Sequence, residues 1–376
     1  MNEKDQFGIA VISFHIGKAF GVPLSHLASI LSTMGLSYFF IGAYEKIHLL
    51  NSNKSKNILF FNYRTSSLLI IRLIVYLFLQ IKISFKLLLV KYKFERVIFF
   101  MSLPPLIPMF VAKILNIKSY WLLSAIPLKL SLSPDDKISK QVKFPSKLCF
   151  YLTDYIIAYS PILISEWYLT PYRYKILIAH EHFLDFTTFT VTTPFPDRPP
   201  LIGYIGRLSA EKGVQHFVQT LPAILSEQQD LRVLIGGDGQ LKESIETTLD
   251  AEKITARVDL PGWISHDDLP KYLDQLRLLV LPSYTEGLPN IMLEAMACGT
   301  PVLATPVGAI PDVIRDGETG FIMEDNSPEC IARNVMRALS DPDLEGVADR
   351  GRRFVEGEFT FEKAVERWRG ILQDIE

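Results

Sequence analysis

One stretch of the sequence indicates the fold class and also holds the strongest candidate site. Residues 278–297 read LLVLPSYTEGLPNIMLEAMA. The apolar run Leu278–Leu281 predicts a buried strand that leads into a short polar loop. A helix is predicted from about Pro289, because the missing N–H of proline has no helical partner at the first position anyway. Strand, loop and helix in this order indicate a parallel sheet covered by helices.

Two carboxylates in this stretch are candidates for binding a ligand. Glu286 precedes the predicted helix, and Glu294 lies two turns inside it. The free N–H groups of a helix N-terminus attract anions, and carboxylates accept hydrogen bonds from paired hydroxyls. The pattern therefore suits a sugar or ribose attached to phosphate. A capped amphipathic helix with surface glutamates has the same spacing, so the spacing alone leaves both interpretations open.

The charge of the chain is distributed unevenly between its two halves. Residues 1–200 contain 22 Lys and Arg against 11 Asp and Glu, whereas the whole chain is nearly neutral at −2. Because the basic residues lie among Leu, Ile and Phe, they indicate an anionic lipid surface rather than nucleic acid. Three widely spaced cysteines form neither a disulfide nor a metal pattern, which is typical of a reducing compartment. No signal peptide is recognised, so we expect a cytoplasmic protein.

Residues 68–96 are the candidate for membrane contact. The apolar run is interrupted at Arg72 and Lys82, which leaves it shorter than the roughly 20 residues that a membrane-spanning helix needs. A basic amphipathic helix in the membrane interface fits this pattern. A helix packed on the sheet, with its Lys and Arg side chains reaching outward, fits it as well.

The first half begins like an α/β unit. A predicted strand, residues 8–14, runs into His15-Ile16-Gly17-Lys18, and Gly17 would allow a close approach of backbone to a ligand. Further strands are predicted at residues 96–100, 119–123, 154–160 and 175–178. His180 and His182 alternate as two metal ligands could, but no third ligand is near, so no metal site is predicted. Residues 187–200, rich in Thr and Pro, predict an interdomain linker.

The second half alternates regularly between predicted strands and helices, which indicates a doubly wound parallel sheet. The strands are predicted at residues 201–205, 231–235, 258–260, 278–281 and 302–304, and the helices near 213–227, 240–251, 266–274, 289–297 and 327–340. Ligands bind such sheets at the carboxyl ends of the strands. Arg207 and Lys212 flank a helix start at the first of these ends, and two fixed cations there suit a pyrophosphate.

With these residues assembled, the chain resembles the family 4 glycosyltransferases, which are retaining nucleotide-sugar enzymes of the GT-B architecture. The strongest motif is the Glu286-to-Glu294 segment with its Glu-Gly-Leu-Pro and Glu-Ala-Met-Ala sequences. The other matching segments are 203–208, 211–213, 236–239, 260–263, 299–302 and 317–320. The resemblance implies two Rossmann-like domains facing across a cleft. Their expected limits are 1–190 and 201–357, joined by a linker at 191–200, with a final helix at 358–376 that crosses back to the first.

The resemblance also implies roles for individual residues. The catalytic set would be Glu286, which contacts the donor sugar, and Arg207 and Lys212, which neutralise the diphosphate leaving group. Glu294 would accept hydrogen bonds from the ribose. The remaining donor-binding residues implied by the resemblance are Gly17, Gly206, Gly237, Gly262, Trp263, Gly287, Leu288, Pro289 and Asn290. Neither a cofactor nor a metal is implied, because the nucleotide sugar is itself a substrate.

The first half matches the family less closely. His15, Lys18 and Ser124 are the acceptor-side candidates. The family often has a histidine that points at the donor sugar where this chain has Ser124, and a serine is no general base at neutral pH without an activating partner. The expected function is retaining transfer of a sugar, from a UDP-sugar rather than a GDP-sugar, to a lipid-linked or surface-glycan acceptor. The alternatives are a non-catalytic scaffold of this fold and a GT-B epimerase or phosphorylase.

Overall fold

The computed structural model describes residues 8–13, 21–36, 38–42, 58–60, 69–101, 103–124 and 137–373. The chain divides into two compact units. The first comprises Met1–His182 together with Phe361–Glu376, and the second comprises Phe183–Thr360.

The described part of the first unit is built on a sheet of seven strands, all paired in parallel, in the order β3-β2-β1-β4-β5-β6-β7. The strands are β1 (Gly8–Ser13), β2 (Tyr38–Gly42), β3 (Ile58–Phe60), β4 (Phe94–Phe100), β5 (Lys118–Leu122), β6 (Tyr155–Ala158) and β7 (Ile176–Ile178). The helices in this part of the chain are α1 (Gly21–Thr33), α2 (Leu69–Val90), α3 (Leu106–Ile114), α4 (Lys137–Leu152) and α5 (Ile162–Glu166).

The second unit has a parallel sheet of six strands in the order β10-β9-β8-β11-β12-β13. The strands are β8 (Leu201–Ile205), β9 (Arg232–Gly236), β10 (Val258–Gly262), β11 (Leu278–Leu281), β12 (Val302–Ala304) and β13 (Phe321–Ile322). The helices are α6 (Val214–Glu227), α7 (Lys242–Ala251), α8 (Leu269–Leu273), α9 (Asn290–Ala297), α10 (Ile310–Val313), α11 (Pro328–Leu339) and α12 (Leu344–Glu358). The last helix, α13 (Phe361–Gln373), belongs to the first unit.

Central strands such as β1 and β11 are mostly apolar, as expected of parallel strands that helices cover on both faces. All six residues of β1 are buried, and so are all four residues of β11. Two parallel α/β sheets of this kind confirm the predicted fold class. The sequence did not predict β2, β3 and β13, which are only five, three and two residues long.

Residues 191–200, the predicted linker, are built into the second unit. The Arg198 side chain is buried there and donates hydrogen bonds to the carbonyl oxygens of Leu276, Cys298 and Gly299, at 3.0, 2.7 and 3.0 Å. Its guanidinium also lies 3.4 Å from the Asp274 carboxylate. The prolines do keep the segment irregular, apart from one 3-10 turn, but the buried arginine fixes it to the sheet.

Helix α2 accounts for most of the stretch that the sequence singled out for membrane contact. One side of it is packed, with Leu79, Ile83 and Leu87 buried, and the opposite side is exposed. Arg96, at the end of that stretch, lies in β4 and donates to the Leu372 carbonyl oxygen at 2.6 Å. Within the described ranges, none of the helices combines the length and the apolarity that a membrane span requires.

Candidate functional site

The candidate site of the second unit lies at the carboxyl ends of β8 and β11. The Lys212 ammonium is 2.7 Å from Glu286 Oε1, and Ser283 Oγ donates to the same oxygen at 2.7 Å. The Glu286 side chain is only 10% exposed. The structure thus brings two of the three predicted catalytic side chains into direct contact, although they are 74 positions apart in the sequence.

A close approach between two loops places Lys212 beside Glu286. Gly213 has φ = +67°, and a Cβ at this position would be 1.9 Å from the Pro282 carbonyl oxygen. Only glycine fits there. The Tyr284 amide donates to the Glu211 carbonyl at 3.0 Å, which holds the loop after β11 against the loop after β8.

The side chain of Arg207, the third predicted catalytic residue, extends into solvent, unlike those of Lys212 and Glu286. Its side chain is 63% exposed, and its guanidinium lies 3.4 Å from the Glu211 carboxylate. The Tyr204 hydroxyl donates to the Arg207 carbonyl oxygen at 2.7 Å and so fixes the backbone. The backbone is therefore held at the strand end, while the cationic head is in solvent and available to an anion.

Glu294 lies inside α9, as the sequence predicted, and its side chain is 8% exposed. Its Oε1 is 3.0 Å from His266 Nε2. The hydrogen bond with Glu294 raises the pKa of His266 above the ordinary value, although partial burial opposes the shift. A histidine that follows β10 therefore holds the Glu294 carboxylate in place. These two side chains lie at the same edge of the sheet as Glu286.

The predicted donor-binding loop continues from Glu286 into α9. The Gly287 carbonyl oxygen accepts a hydrogen bond from the Ala309 amide at 2.7 Å, and the Leu288 side chain is buried. Helix α9 begins at Asn290, one residue later than predicted, and Pro289 precedes it in an extended conformation. Since proline has no N–H, only Gly287, Leu288 and Asn290 can donate backbone hydrogen bonds in this segment.

The predicted glycines after β8 and β9 fit against each other. Gly237 has φ = +138°, and a Cβ there would be 1.8 Å from the Gly206 carbonyl oxygen. The Gly237 amide donates to the Gly262 carbonyl oxygen at 2.7 Å. These glycines thus pack the strand ends together, while Trp263 beside them has an exposed ring.

Most of the predicted site residues of the first unit lie outside the described residues. His15, Gly17 and Lys18 lie outside the described residues, and their predicted roles stay predictions. Ser124 is described and partly buried, two residues after the end of β5.

His180 and His182, the alternating pair, are buried in the first unit with ring centroids 5.5 Å apart. The Trp368 indole donates to the His180 carbonyl oxygen at 3.1 Å, and the Arg367 guanidinium is 3.3 Å from His180 Nδ1. Burial, followed by the Arg367 charge, holds the pKa of His180 well below its ordinary value. The His180 ring is therefore buried and neutral, and it packs against α13, which indicates a structural role.

Between these histidines lies a group that the sequence reasoning passed over. The Glu181 side chain is fully buried and accepts a hydrogen bond from the Tyr159 hydroxyl at 2.8 Å. Burial raises its pKa from 4.5 to about 7. No pattern in the sequence marks this glutamate as buried, because it follows the short strand β7 in a polar-looking segment.

His266 is the residue of the candidate site that the sequence reasoning missed. It follows β10 by four residues and meets Glu294 from across the sheet edge. Its position could have identified it, because titratable residues just after the end of a strand are candidates for ligand binding in a parallel sheet.

Residues 185–353 match the family model described as glycosyl transferases group 1. This segment contains β8 to β13 and every described contact of the candidate site. Most of the second unit is therefore similar to the group 1 glycosyltransferases.

Two curated relatives and one solved structure illustrate the similarity. The chain is 30% identical over 180 residues to the alpha-D-kanosaminyltransferase of Streptomyces kanamyceticus, covering 48% of this chain and 47% of that protein. It is 27% identical over 209 residues to the GDP-mannose-dependent monoacylated alpha-(1-6)-phosphatidylinositol monomannoside mannosyltransferase of Corynebacterium glutamicum, covering 50% and 54%. The chain thus spans about half the length of the curated relatives it matches.

Similarity of fold extends over nearly the whole chain. The structure of Anabaena Alr3699/HepE in complex with UDP and glucose superposes with a TM-score of 0.76 at 15% identity, covering 98% of this chain and 100% of that one. At this identity the comparison supports the fold alone, which is the two-domain GT-B architecture.

Proposed function

We propose that this protein is a retaining glycosyltransferase that moves a sugar from a nucleotide-diphosphate sugar to a lipid-linked or surface-glycan acceptor. The observation that carries the proposal is the contact of Lys212 with Glu286 at the edge that also holds Glu294. A cation next to carboxylates suits a ligand that has both phosphate and hydroxyl groups.

On the donor side, Lys212 and Arg207 stabilise the charge that develops on the departing diphosphate. Arg207 is in solvent, and its Glu211 partner is a weak, exposed one that an incoming diphosphate can replace. Donor binding then shifts the Lys212 ammonium from Glu286 toward phosphate, which frees the carboxylate for sugar hydroxyls. Lys212 and Glu286 therefore exchange their mutual contact for contacts with the substrate.

Glu294 accepts from the ribose hydroxyls in this proposal, with His266 as its neighbour in the free protein. Gly262 and Trp263 provide backbone beside the base. The implied reaction needs no metal, and dialysis against a chelator followed by an activity assay tests that point. An NMR coupling constant of the anomeric proton of the product would report retention or inversion directly.

The favoured nucleotide is UDP. The Anabaena structure was solved with UDP and glucose, whereas the Corynebacterium relative is named as GDP-mannose-dependent. We include both nucleotides in the test for that reason.

The acceptor side is proposed to involve a membrane. Helix α2 exposes a row of large apolar side chains with Lys82 among them, and the Lys82 ammonium lies 4.6 Å from the Phe78 ring centroid. The relative from Corynebacterium acts, by its name, on a phosphatidylinositol mannoside. We therefore propose peripheral attachment to an anionic membrane surface through residues 68–96, close to a lipid-linked acceptor.

The deciding experiment is titration calorimetry of the purified protein with a panel of UDP-sugars and GDP-sugars. We expect one UDP-sugar to bind and the Lys212→Ala variant to lose at least ten-fold in affinity. The matched control is Lys271→Ala, because Lys271 also pairs with a carboxylate, Asp268 at 2.9 Å, but the Lys271 side chain is 75% exposed and takes no part in the Lys212–Glu286 contact. Absence of binding across the panel, or equal losses in the two variants, would remove the proposal.

A non-catalytic scaffold remains the second candidate because of Ser124. Slow hydrolysis or transfer from the donor sugar by the purified protein, abolished in Lys212→Ala, would exclude it. Donor binding without any turnover, with every acceptor preparation tested, would favour it. Product analysis of the same reactions distinguishes a transferase from an epimerase or a phosphorylase.

A further inference from the structure

Residues 282–284 connect β11 to the loop that carries Glu286, and other parts of the second unit hold each of these three residues. The Ser283 side chain is buried, and its hydroxyl donates to Glu286 Oε1 at 2.7 Å. The Ser283 carbonyl oxygen accepts a hydrogen bond from the Thr305 hydroxyl. The position of this short segment therefore decides where the Glu286 carboxylate lies.

Pro282, the first residue of the segment, is held through its carbonyl oxygen. Because proline has no N–H, this oxygen is the only backbone group of Pro282 that can form a hydrogen bond. The Asn326 side-chain amide donates to it at 3.1 Å. Gly213 lies against the same oxygen, where a side chain would not fit. Since Pro282 is buried, the loss of the Asn326 amide would leave its carbonyl oxygen without that donor.

Asn326 is itself fixed by His216, which lies in the first turn of α6. His216 Nδ1 is 2.6 Å from the Asn326 carbonyl oxygen. Because a carbonyl oxygen only accepts, Nδ1 carries the hydrogen atom of this bond. The Tyr284 hydroxyl lies 3.3 Å from the same nitrogen, and the two rings meet edge to face with their centroids 5.9 Å apart. His216 therefore contacts both Asn326 and the residue that follows Ser283.

Two routes of contacts thus connect the start of α6 to the Glu286 carboxylate. The direct route is the ion pair with Lys212, at 2.7 Å. The indirect route runs from His216 through Asn326 to the Pro282 carbonyl oxygen, and the Ser283 hydroxyl completes it. On the indirect route the two polar side chains act on Glu286 through the backbone of the loop.

We propose that His216 and Asn326 are positioning residues that hold the Glu286 carboxylate at the place where the donor sugar binds. This inference rests on the proposed function, in which Glu286 contacts that sugar. A small displacement of a group that contacts the reacting part of a substrate can lower the rate strongly. The two residues therefore contribute to turnover through the loop that they fix.

Hydrogen–deuterium exchange of the free protein tests the link between Asn326 and the loop without any donor. The reporter is a peptide that covers residues 282–288, in which the Tyr284 amide donates to the Glu211 carbonyl oxygen at 3.0 Å. In Asn326→Ala we expect faster exchange in this peptide, because the Pro282 oxygen loses its donor and the segment opens more often.

The matched control for this experiment is Asp325→Ala. The Asp325 carboxylate accepts from the Ser327 amide at 2.8 Å in the same turn, so its replacement also removes a hydrogen bond there. The 282–288 peptide of this variant should exchange like that of the wild type. Equal exchange in Asn326→Ala and the wild type would overturn the proposal, whether or not a donor is found.

Initial rates with the donor identified by calorimetry test the effect on the reaction. We expect kcat to fall about 10-fold in Asn326→Ala and by less in His216→Leu, with the donor KM changed less than about two-fold. His216→Asn should keep most of the wild-type rate, because asparagine supplies an N–H donor close to the position of Nδ1. An unchanged kcat in Asn326→Ala, or a loss confined to KM, would contradict a positioning role.

A Glu286→Gln background separates positioning from a general loss of structure. If Asn326 acts through the Glu286 carboxylate, Asn326→Ala should lower kcat much less in this background than in the wild type. The same fold-loss in both backgrounds would assign the effect to protein stability and refute the inference. A wild-type protein that binds no donor fails the proposed function, and the exchange experiment then still decides whether Asn326 holds the loop.

Discussion

The two units have the same kind of sheet, but they place their charged residues differently. In the second unit the pairs Lys212–Glu286, His266–Glu294 and Arg198–Asp274 each contain a covered carboxylate. In the first unit, α2, α3 and α4 contain no Asp or Glu, and Lys82, Lys113 and Lys147 on them have exposed apolar side chains as neighbours. Paired, covered charges position a small ligand, whereas unbalanced, exposed charges suit an extended anionic surface.

The largest effect should come from breaking the buried arginine network of the second unit. Arg198→Ala removes a guanidinium that donates to three carbonyl oxygens, and it leaves the buried Asp274 carboxylate without its cationic partner, although Thr192 and Thr193 still donate to that carboxylate. We expect a loss of about 3–5 kcal/mol in the free energy of unfolding, measured by urea denaturation. Arg232→Ala, which breaks an exposed pair with Asp259, should cost less than about 1 kcal/mol. Equal losses of unfolding free energy in the two variants would contradict the expectation that a buried ion pair contributes more than an exposed one.

The next largest effect is expected from the replacement of Glu286. In Glu286→Gln the shape is kept but the charge that faces Lys212 is lost, so turnover should fall by about 10²–10³-fold. Because the Glu286 side chain is only 10% exposed, the free energy of unfolding should fall as well, by about 1–3 kcal/mol. Initial rates with the donor identified by calorimetry measure the first quantity. Glu318→Gln, in an exposed pair with Arg315, is the matched control and should leave turnover unchanged. A loss of stability as large as the loss of turnover would contradict a role in the reaction.

Glu181 is the exception in the first unit, because it is a carboxyl group buried without a charged partner close by. Tyr159 donates to it, His182 Nδ1 is 4.0 Å away, and Arg367 acts on it from a longer distance. Since burial raises its pKa from 4.5 to about 7, the folded state holds a proton that the unfolded state has released. The contribution to stability is therefore full below pH 4.5 and is lost as the pH rises toward 7.

The Glu181→Gln variant removes this titration. Relative to the variant, the wild type should lose on the order of 3 kcal/mol of unfolding free energy between pH 4.5 and pH 8. Urea denaturation of both proteins across this range measures the difference, which is insensitive to any constant cost of the substitution. A difference that does not change with pH would show that Glu181 is ionised in the folded protein.

The regular part of the fold was predictable because its signals are local. Strands β8, β11 and β12 have the predicted limits, since apolar runs bounded by Pro, Gly and polar residues mark a buried parallel strand without ambiguity. Strands β2 and β3 were not predicted, because an apolar run of three to five residues cannot be told from part of a buried helix by its pattern alone. The prolines of residues 191–200 signalled an irregular segment, yet the buried Arg198 that ties it to the sheet has no local signature.

The candidate site was predictable to the extent that it follows from strand order. Glu286 and Lys212 follow β11 and β8, which are neighbours in the sheet, so a parallel-sheet model already places them together. Their ion pair also depends on the close approach of Gly213 to Pro282, which only the structure reveals. His266 was missed because the loop after β10 is long enough to carry it back toward α9, and loop paths cannot be read from spacing.

The smallest predicted effect concerns the His266–Glu294 pair. It tests whether the stability that this pair contributes to the second unit depends on pH. Because the hydrogen bond with Glu294 raises the pKa of His266, the pair contributes fully below the unfolded value of 6.5 and is lost as the pH rises through the higher folded value. The His266 side chain is half-exposed, so the contribution should be below about 1 kcal/mol. We expect His266→Gln to destabilise the protein more at pH 6 than at pH 9, as measured by urea denaturation. In a Glu294→Gln background the same substitution should cost equally at both pH values, because the charge that raises the pKa is gone; a pH dependence that survives in that background would assign it to another partner of His266.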